Sequence, residues 1–253
     1  MTSMWNAPLR TRWRGSRRRD TEQARFLTRA SLEWVLANKA YTPWYLVRYY
    51  RLAKFKLANP HVILKGMVFL GKNVEIHSTP ELSRLEIGRW VHIGDGNAIR
   101  CHEGSLRIGD KVVFGKDNVV NTYLDIEIGA STLVADWCYI CDFDHRMDDV
   151  NMPIKDQGIV KGPVRIGPDT WIAAKVTILR ETRIGRGCVL GAHAVVKGEI
   201  PDYSIAVGAP AKVVRNRKDA WEAGAADRAK YIAALEDIAR KKALGQAEAA
   251  RES

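Results

Sequence analysis

The sequence lacks the features that mark several common protein classes. Only four of its 253 residues are cysteines, and they do not form the disulfide framework of a small secreted domain. No apolar run approaches the roughly 18 residues that a membrane-spanning helix needs. The N-terminus is basic but has no apolar segment before a cleavage site, so it is not a secretory signal. These absences predict a cytoplasmic protein with reduced thiols.

Nucleotide-binding and metal-binding signatures are missing as well. No glycine-rich loop leads into a helix, so neither a Rossmann nor a P-loop site is predicted. The six histidines are scattered, and their spacing does not suggest a three-histidine zinc set. The CxxC pair Cys138 and Cys141 has no partner pair beside it. We therefore predict no metal site and interpret Cys138 and Cys188 as core packing.

Positive charge is present in excess. The formal net charge is +11, and a basic surface favours anionic partners such as phosphates, nucleic acid or acidic membranes. We interpret residues 1–20 as a solvated, mobile basic arm and predict no nucleic-acid partner. Part of the excess is local, because arginines crowd this arm: Arg10, Arg12, Arg14, Arg17, Arg18 and Arg19.

Both ends of the chain show helical periodicity. Residues 21–57 contain apolar side chains at three-to-four spacing, and Thr42-Pro43 opens a run that is both aromatic and basic. Such a helix can lie on a membrane, but more often it packs on its own domain or on a neighbouring subunit. Peripheral membrane contact through the basic N-terminus stays open as an alternative. Residues 216–253 are predicted to form a C-terminal amphipathic helix.

Between these helices the sequence repeats every six residues. A period of six fits neither a helix of about 3.6 residues per turn nor a long alternating strand. Each unit is instead a short strand and a turn, with an aliphatic residue inside and a small residue after it that lets the chain bend. The clearest run of aliphatic residues is Ile166, Ile172, Ile178, Ile184, Leu190 and Val196.

Three such units close a triangular coil of about 18 residues, and stacked coils bury a ladder of Ile and Val. The pattern predicts a mainly β fold, a parallel β-helix over residues 58–215, with an ordinary β-sandwich as the competing interpretation. The repeat breaks between Ile140 and Ile166, where residues 146–163 are predicted to form a loop. A loop that protrudes from a rigid solenoid is where such folds place function.

One histidine stands apart from the other five. His145 follows Asp142-Phe143-Asp144 at the point where the repeat gives way to the loop. Histidine is the commonest general base near neutral pH, although a single histidine more often has a structural role. Either Asp142 or Asp144 could orient the imidazole, as the third member of a catalytic triad does. If the repeat continues through this point, His145 and Trp171 share an outward phase and line one surface groove.

Three segments carry a family resemblance. They are residues 164–174 (VRIGPDTWIAA), residues 191–196 (GAHAVV), and residues 200–215, which begin with IP and end with AVGAPAKVVR. These segments resemble the hexapeptide-repeat acyltransferases, in particular the maltose/galactoside O-acetyltransferases and the sugar acetyltransferases of polysaccharide synthesis. The resemblance extends over about 85–215, and it implies that the β-helix is left-handed.

The resemblance also implies a homotrimer, with the acyl-CoA arm in a cleft between neighbouring subunits. It implies that His145 takes the proton of the acceptor hydroxyl and that the backbone N–H of Ala174 meets the oxyanion. Trp171 would then line the cleft, and the backbone of Ala192 would hold the pantetheine arm. Further residues are implied at the CoA phosphates and the acceptor sugar: Lys197, Lys212 and Arg215 for the former, and Asn121, Asp144 and Trp171 for the latter.

These features predict an acyl-CoA-dependent O-acyltransferase that acts on a hydroxyl of a saccharide or glycan intermediate. The default group is acetyl, with succinyl or another short acyl group as alternatives, and no cofactor is bound permanently. A thioester needs only a positioned nucleophile, a base and an oxyanion donor. Two other interpretations remain open: an amino acid or amino-sugar acyltransferase, and a non-catalytic β-helix scaffold.

Overall fold

The computed structural model describes residues 23–24, 26, 28–224, 227, 229–230 and 232. The predicted basic arm at residues 1–20 and most of the predicted C-terminal helix lie outside the described residues. The chain divides into two compact units, Met1–Val214 and Arg215–Ser253. Each unit is described by itself.

Helices precede the solenoid and follow it in the chain. Helix α1 (Arg29–Ala37) begins at Thr28, whose Oγ1 accepts a hydrogen bond of 3.1 Å from the N–H of Ser31. Helix α2 (Pro43–Ala58) has proline at its first position, where the missing N–H leaves no hydrogen bond unmade. In the second unit, α3 spans Arg217–Ala223. No helix in the described part of the chain is long and apolar enough to cross a membrane.

Short strands, parallel within each sheet from Ile63 to Val207, wind into three sheets, which form the faces of a left-handed β-helix. The chain passes from the first to the second to the third sheet and back, so one circuit is one coil. The first sheet contains Ile63–Leu64, Ser83–Ile87, Gly104–Ile108, Asp125–Ile128, Val164–Ile166, Thr182–Ile184 and Glu199–Ile200. The second contains Val68–Leu70, Val91–Ile93, Val113–Phe114, Leu133–Val134, Trp171–Ile172, Val189–Leu190, Ser204–Val207 and Lys212–Asn216. The third contains Glu75–Ser78, Ala98–Cys101, Val119–Thr122, Tyr139–Cys141, Thr177–Ile178 and Val195–Val196.

The aliphatic residues of the six-residue repeat point inward and form the core, which confirms the predicted ladder. Cys138 and Cys188 lie in the same core with 1% and 0% exposure, so their interpretation as core packing is confirmed. Burial of each aliphatic side chain contributes roughly 1.5–3 kcal/mol. The clearest run of the repeat is buried at every position: Ile166, Ile172, Ile178, Ile184, Leu190 and Val196.

The glycine that follows the inward residue does not serve the predicted purpose. A Cβ on Gly167 would lie 2.5 Å from the carbonyl carbon of Gly185 in the next coil. The left-handed backbone falls two residues later, at Asp169 (φ 57°), and Lys175 (φ 60°) occupies the same place in another turn. The glycine therefore allows the coils to stack closely, and the bend itself is made by residues that carry side chains.

The insertion between Ile140 and Ile166 forms an antiparallel hairpin in which Phe143–His145 pairs with Ile159–Lys161. A 3-10 helix, Ile154–Asp156, lies within it. The hairpin closes where the N–H of Gly162 donates to the carbonyl oxygen of Asp142 at 2.8 Å. The chain thus leaves the solenoid before residue 146, and His145 lies on the hairpin and does not continue the six-residue phase.

Candidate active site

His145 is the last residue of the first hairpin strand, directly opposite Ile159. Its side chain is exposed, and the nearest ring is that of Phe143, with centroids 6.4 Å apart. Among the residues that the structure describes, none forms a hydrogen bond or ion pair with the imidazole. The strand pairing therefore places the ring, and its nitrogen atoms remain available to a substrate.

Asp142 is fully buried and is committed to the backbone of the preceding coil. Its Oδ1 accepts from the N–H of Tyr123 at 2.8 Å, and its Oδ2 accepts from the N–H groups of Leu124 (2.8 Å) and Asp125 (2.7 Å). Burial raises the pKa of the Asp142 carboxyl, although these three donors act in the opposite direction. Asp142 therefore anchors the base of the hairpin and does not orient His145.

Asp144 is also committed elsewhere. Its Oδ2 accepts a hydrogen bond of 2.8 Å from Nε of Arg180, which also pairs with Glu181 at 2.7 Å. Successive side chains of an extended strand point to opposite faces, so Asp144 and its neighbour His145 diverge. The expectation that Asp142 or Asp144 orients the imidazole is wrong within one chain, because neighbours in sequence are not neighbours in space here.

A column of rings supports the hairpin and was not predicted. The centroids of His77 and His102 are 5.6 Å apart, those of His102 and Tyr123 4.7 Å, and those of Tyr123 and Phe143 4.6 Å. The column fixes Phe143, two residues before His145. Its members recur about once per coil, which is the signal that could have revealed them.

Three residues predicted on the donor side lie on and just after the second sheet. Trp171 begins its strand and is 50% exposed. Ala174 lies in the turn that leaves this sheet, and Ala192 lies in the same turn one coil later. The N–H of His193 donates to the carbonyl oxygen of Ala174 at 3.0 Å. No hydrogen bond within the described chain uses the N–H of Ala174, so this donor is available to an oxyanion.

Trp171 belongs to a row of apolar side chains on the outer face of the second sheet. Leu133 lies directly opposite Trp171 in the preceding coil and is 46% exposed. A contiguous apolar patch in contact with water indicates a surface that meets another surface. The row, which we call the apolar row, consists of residues in register on successive strands: Val113, Leu133, Trp171, Val189 and Ile205.

The predicted phosphate-binding lysines lie at the C-terminal end of the solenoid. Lys197 follows the last strand of the third sheet and is exposed. Lys212, also exposed, follows Ala211, whose N–H donates to the carbonyl oxygen of Val195 at 2.8 Å. Arg215 belongs to the second unit. A role of these cations toward CoA phosphates stays a prediction.

Asn121 lies on the third sheet opposite Cys141, the residue before the hairpin base. Its Nδ2 donates to Oη of Tyr139 at 3.4 Å. Its Oδ1 is buried and has no hydrogen-bond partner within the described chain. Because this oxygen is buried, a contact of Asn121 with the acceptor sugar stays a prediction. Among the described residues, no group of three or more His, Cys, Asp or Glu could hold a metal ion.

One chain does not bring all these residues together. The hairpin with His145 leaves the solenoid between the third and first sheets, whereas Ala174 and Ala192 lie between the second and third. The width of the third sheet separates the two corners. The predicted groove that contains both His145 and Trp171 is therefore wrong for a single chain, and such a groove needs a second copy.

Comparison with known proteins gives a family and a fold. The family model described as bacterial transferase hexapeptide (six repeats) matches residues 163–198. The Mycobacterium tuberculosis (strain ATCC 25618 / H37Rv) protein "Probable acetyltransferase Rv3034c" is 77% identical over 243 residues, which is 96% of this chain and 81% of that protein. The Escherichia coli (strain K12) protein "Putative lipopolysaccharide biosynthesis O-acetyl transferase WbbJ" is 36% identical over 121 residues, 42% of this chain and 62% of that protein.

The similarity to solved structures concerns the fold. A point mutant of AntD, an N-acyltransferase from Bacillus cereus crystallised with dTDP and coenzyme A, has a TM-score of 0.52 at 18% identity. The match covers 70% of this chain and 96% of that one. Together with the inward ladder of the solenoid and the relative that matches almost the whole chain, the conclusion is that this protein belongs to the hexapeptide-repeat acyltransferase family.

Proposed function

We propose that this protein transfers an acetyl or another short acyl group from acyl-CoA to a hydroxyl of a saccharide or glycan intermediate. The single observation that carries the proposal is the exposed imidazole of His145, which has no partner among the described residues, on the paired hairpin. A base that must reach a substrate proton needs such a position. The relative WbbJ, named as an O-acetyl transferase of lipopolysaccharide biosynthesis, favours an oxygen acceptor over an amine.

The chemistry follows from these groups. A ring nitrogen of His145 takes the proton of the acceptor hydroxyl while the oxygen attacks the carbonyl carbon of the thioester. The former carbonyl oxygen becomes negative, and the N–H of Ala174 stabilises it. The C–S bond then breaks, and the imidazolium returns its proton to the CoA thiolate. The products are an ester and free CoA, and His145 is neutral again.

We propose a homotrimer in which the hairpin of one copy faces the second sheet of the next. The apolar row supports this arrangement, and so does the insertion, whose Met147 and Val150 are 72% and 93% exposed. Apolar surface of this kind gains about 25 cal/mol per Å² when it leaves water. A ring of three head-to-tail contacts closes on itself and creates three equivalent sites.

The test measures release of the CoA thiol with acetyl-CoA and a panel of sugars, amino sugars and amino acids. We expect turnover with hydroxyl acceptors of saccharides. We expect His145→Ala to lower kcat by about 10²–10⁴-fold with the fold intact, because a general base is lost. His61→Ala serves as the control, since His61 is an exposed histidine just before the first strand of the solenoid and outside the column of rings, and it should retain activity.

The other interpretations give different results in the same assay. Turnover with amines alone would replace the saccharide hydroxyl with an amino acid or amino-sugar acceptor. If no acyl-CoA is consumed with any acceptor, acyl transfer is rejected in favour of a scaffold. If His145→Ala and His61→Ala are equally active, His145 is not the base.

A further inference from the structure

Helix α2 is apolar on two opposite sides. Its inner side packs on the first coil, where Leu52 is buried and the ring of Tyr45 lies 5.9 Å from that of Phe69. Its outer side carries Leu46, Tyr50 and Leu57, which are 54%, 68% and 79% exposed. Spacings of four and seven residues place these three side chains on one stripe of a helix. We call them the outer stripe.

The outer stripe continues into an apolar groove between the two N-terminal helices. The groove has a volume of about 580 Å³. Leu32 and Val35 of α1 line one side, Ala53 and Leu57 of α2 line the other, and Met67 of the first coil is also part of the lining. The groove and the stripe together form one water-exposed apolar surface, and such a surface on a soluble domain indicates a partner.

The charge around this surface selects the class of partner. From Arg29 to Ala58 the only acidic residue is Glu33. Lys39 and Lys54 are exposed beside the apolar side chains. A second copy of this chain, whose net charge is +11, would be repelled from this region, whereas an anionic surface would be attracted. Six basic residues oppose the single acid: Arg29, Lys39, Arg48, Arg51, Lys54 and Lys56.

We propose that α1 and α2 form a docking surface for an anionic membrane. The outer stripe enters the boundary between headgroups and acyl chains, and the lysines contact lipid phosphates. Aromatic and aliphatic residues on one face with cations beside them are the composition that places a helix in this interface. Basic segments near a membrane gain further attraction from anionic lipids. Acyl transfer to a water-soluble acceptor does not require this surface.

The experiment is co-sedimentation of the full chain with vesicles. We expect the protein to pellet with equimolar phosphatidylglycerol and phosphatidylcholine but not with phosphatidylcholine alone, and to be released as salt is added. The variant Leu46→Ser/Tyr50→Ser/Leu57→Ser should bind at least about tenfold more weakly, because the inserted apolar side chains are gone. All three side chains are exposed, so we expect the variant to fold.

The matched control is Leu82→Ser, which removes a leucine that is 64% exposed on the solenoid and should leave vesicle binding unchanged. Both variants should turn over a water-soluble acceptor at the normal rate, which separates this surface from the active site. Three results would overturn the proposal. They are no pelleting of the full chain at low salt, full pelleting of the triple variant, and a lower oligomeric mass of the triple variant in solution.

Discussion

The first and second sheets both have apolar inner faces, but their outer faces differ in chemical character. Both sheets contribute buried aliphatic residues to the ladder in the core. On the outer face of the second sheet, the residues in register are the members of the apolar row. On the outer face of the first sheet, the residues in register are charged: Glu86, Arg107, Glu127, Arg165, Arg183 and Glu199.

Ion pairs connect several side chains of this charged face. Arg107 pairs with Asp125 at 3.0 Å and with Glu127 at 3.2 Å, and Arg165 also pairs with Asp125. Exposed ion pairs contribute at most about 1 kcal/mol each, so this face adds little stability and is suited to remain in water. The inner rows of side chains therefore determine the fold, and the outer rows determine what each face contacts.

The largest expected effect is on kcat, and it comes from proline substitutions in the turns that leave the second and first sheets. In the turn after the second sheet, Ala174→Pro removes the N–H proposed to stabilise the oxyanion, and kcat should fall by about 10²–10³-fold. Proline suits the position before a left-handed residue, and Ala174 precedes Lys175, whose φ is 60°. Steady-state kinetics and the oligomeric mass are measured together, and the mass should not change.

The control is the equivalent turn after the first sheet. Ala130 precedes Ser131 (φ 59°), and the next coil already has Pro168 before Asp169 (φ 57°) in this place. Ala130→Pro should therefore leave kcat unchanged. Equal losses in the two proline variants would mean that backbone rigidity, and not the Ala174 N–H, controls the rate.

Two substitutions on one coil test which outer face forms the contact between copies. Leu133→Glu puts a charge into the apolar row, and a buried unpaired charge costs several kcal/mol. We expect the oligomer to dissociate and activity to fall at least about tenfold. Glu127→Leu on the first sheet loses only surface ion pairs with Arg107 and Arg165, and its mass should not change. Light scattering measures the oligomeric mass of each variant. Dissociation of Glu127→Leu alone would mean that the first sheet, and not the second, forms the contact between copies.

The smallest expected effect is a difference in the pH range over which groups on the two sheets lose their contribution to stability. Burial and the charge of Arg48 lower the pKa of His92, in the second sheet, below its ordinary value of 6.5. Burial opposes ionisation of Glu86 on the first sheet, but its contacts with Lys65 and Arg84 prevail, and its pKa lies below the ordinary 4.5. The stability that each group contributes is present above its unfolded pKa and is lost as pH falls through its folded pKa.

The two faces should therefore lose stability in different pH windows, the second below about 6.5 and the first below about 4.5. Thermal unfolding across this range measures both. His92→Phe keeps a ring stacked on Phe69, now at 4.4 Å, and should reduce the loss in the higher window, to which His102 also contributes because burial lowers its pKa. Glu86→Gln should alter only the lower one. If both substitutions changed stability in the same pH window, the assignment of the higher window to His92 and the lower one to Glu86 would be wrong.

The fold could be predicted because its cause is periodic. Inward aliphatic residues at a spacing of six appear directly in the sequence, and the structure confirms them from Ile166 to Val196. The steric reason for the glycines could not be predicted. A Cβ on Gly167 would collide with the next coil, which is distant in sequence, and a local pattern does not show that contact.

The site could be predicted only in part. His145 was selected because two acids precede it, yet their partners come from other coils: Asp142 holds the backbone near Tyr123, and Asp144 holds Arg180. These contacts depend on the register between coils, which a local sequence pattern does not contain. The roles proposed for Trp171, Ala174 and Ala192 depend further on a second copy of the chain.

We propose that each active site is shared between two copies, and mixed oligomers test this arrangement. His145→Ala and Ala174→Pro are co-expressed with different tags, and oligomers that carry both tags are isolated. In a head-to-tail trimer, each mixed assembly has one contact in which both groups are intact, so about one third of wild-type activity should return. Mixed trimers no more active than the two parent variants would place the whole site within one chain and rule out a shared site.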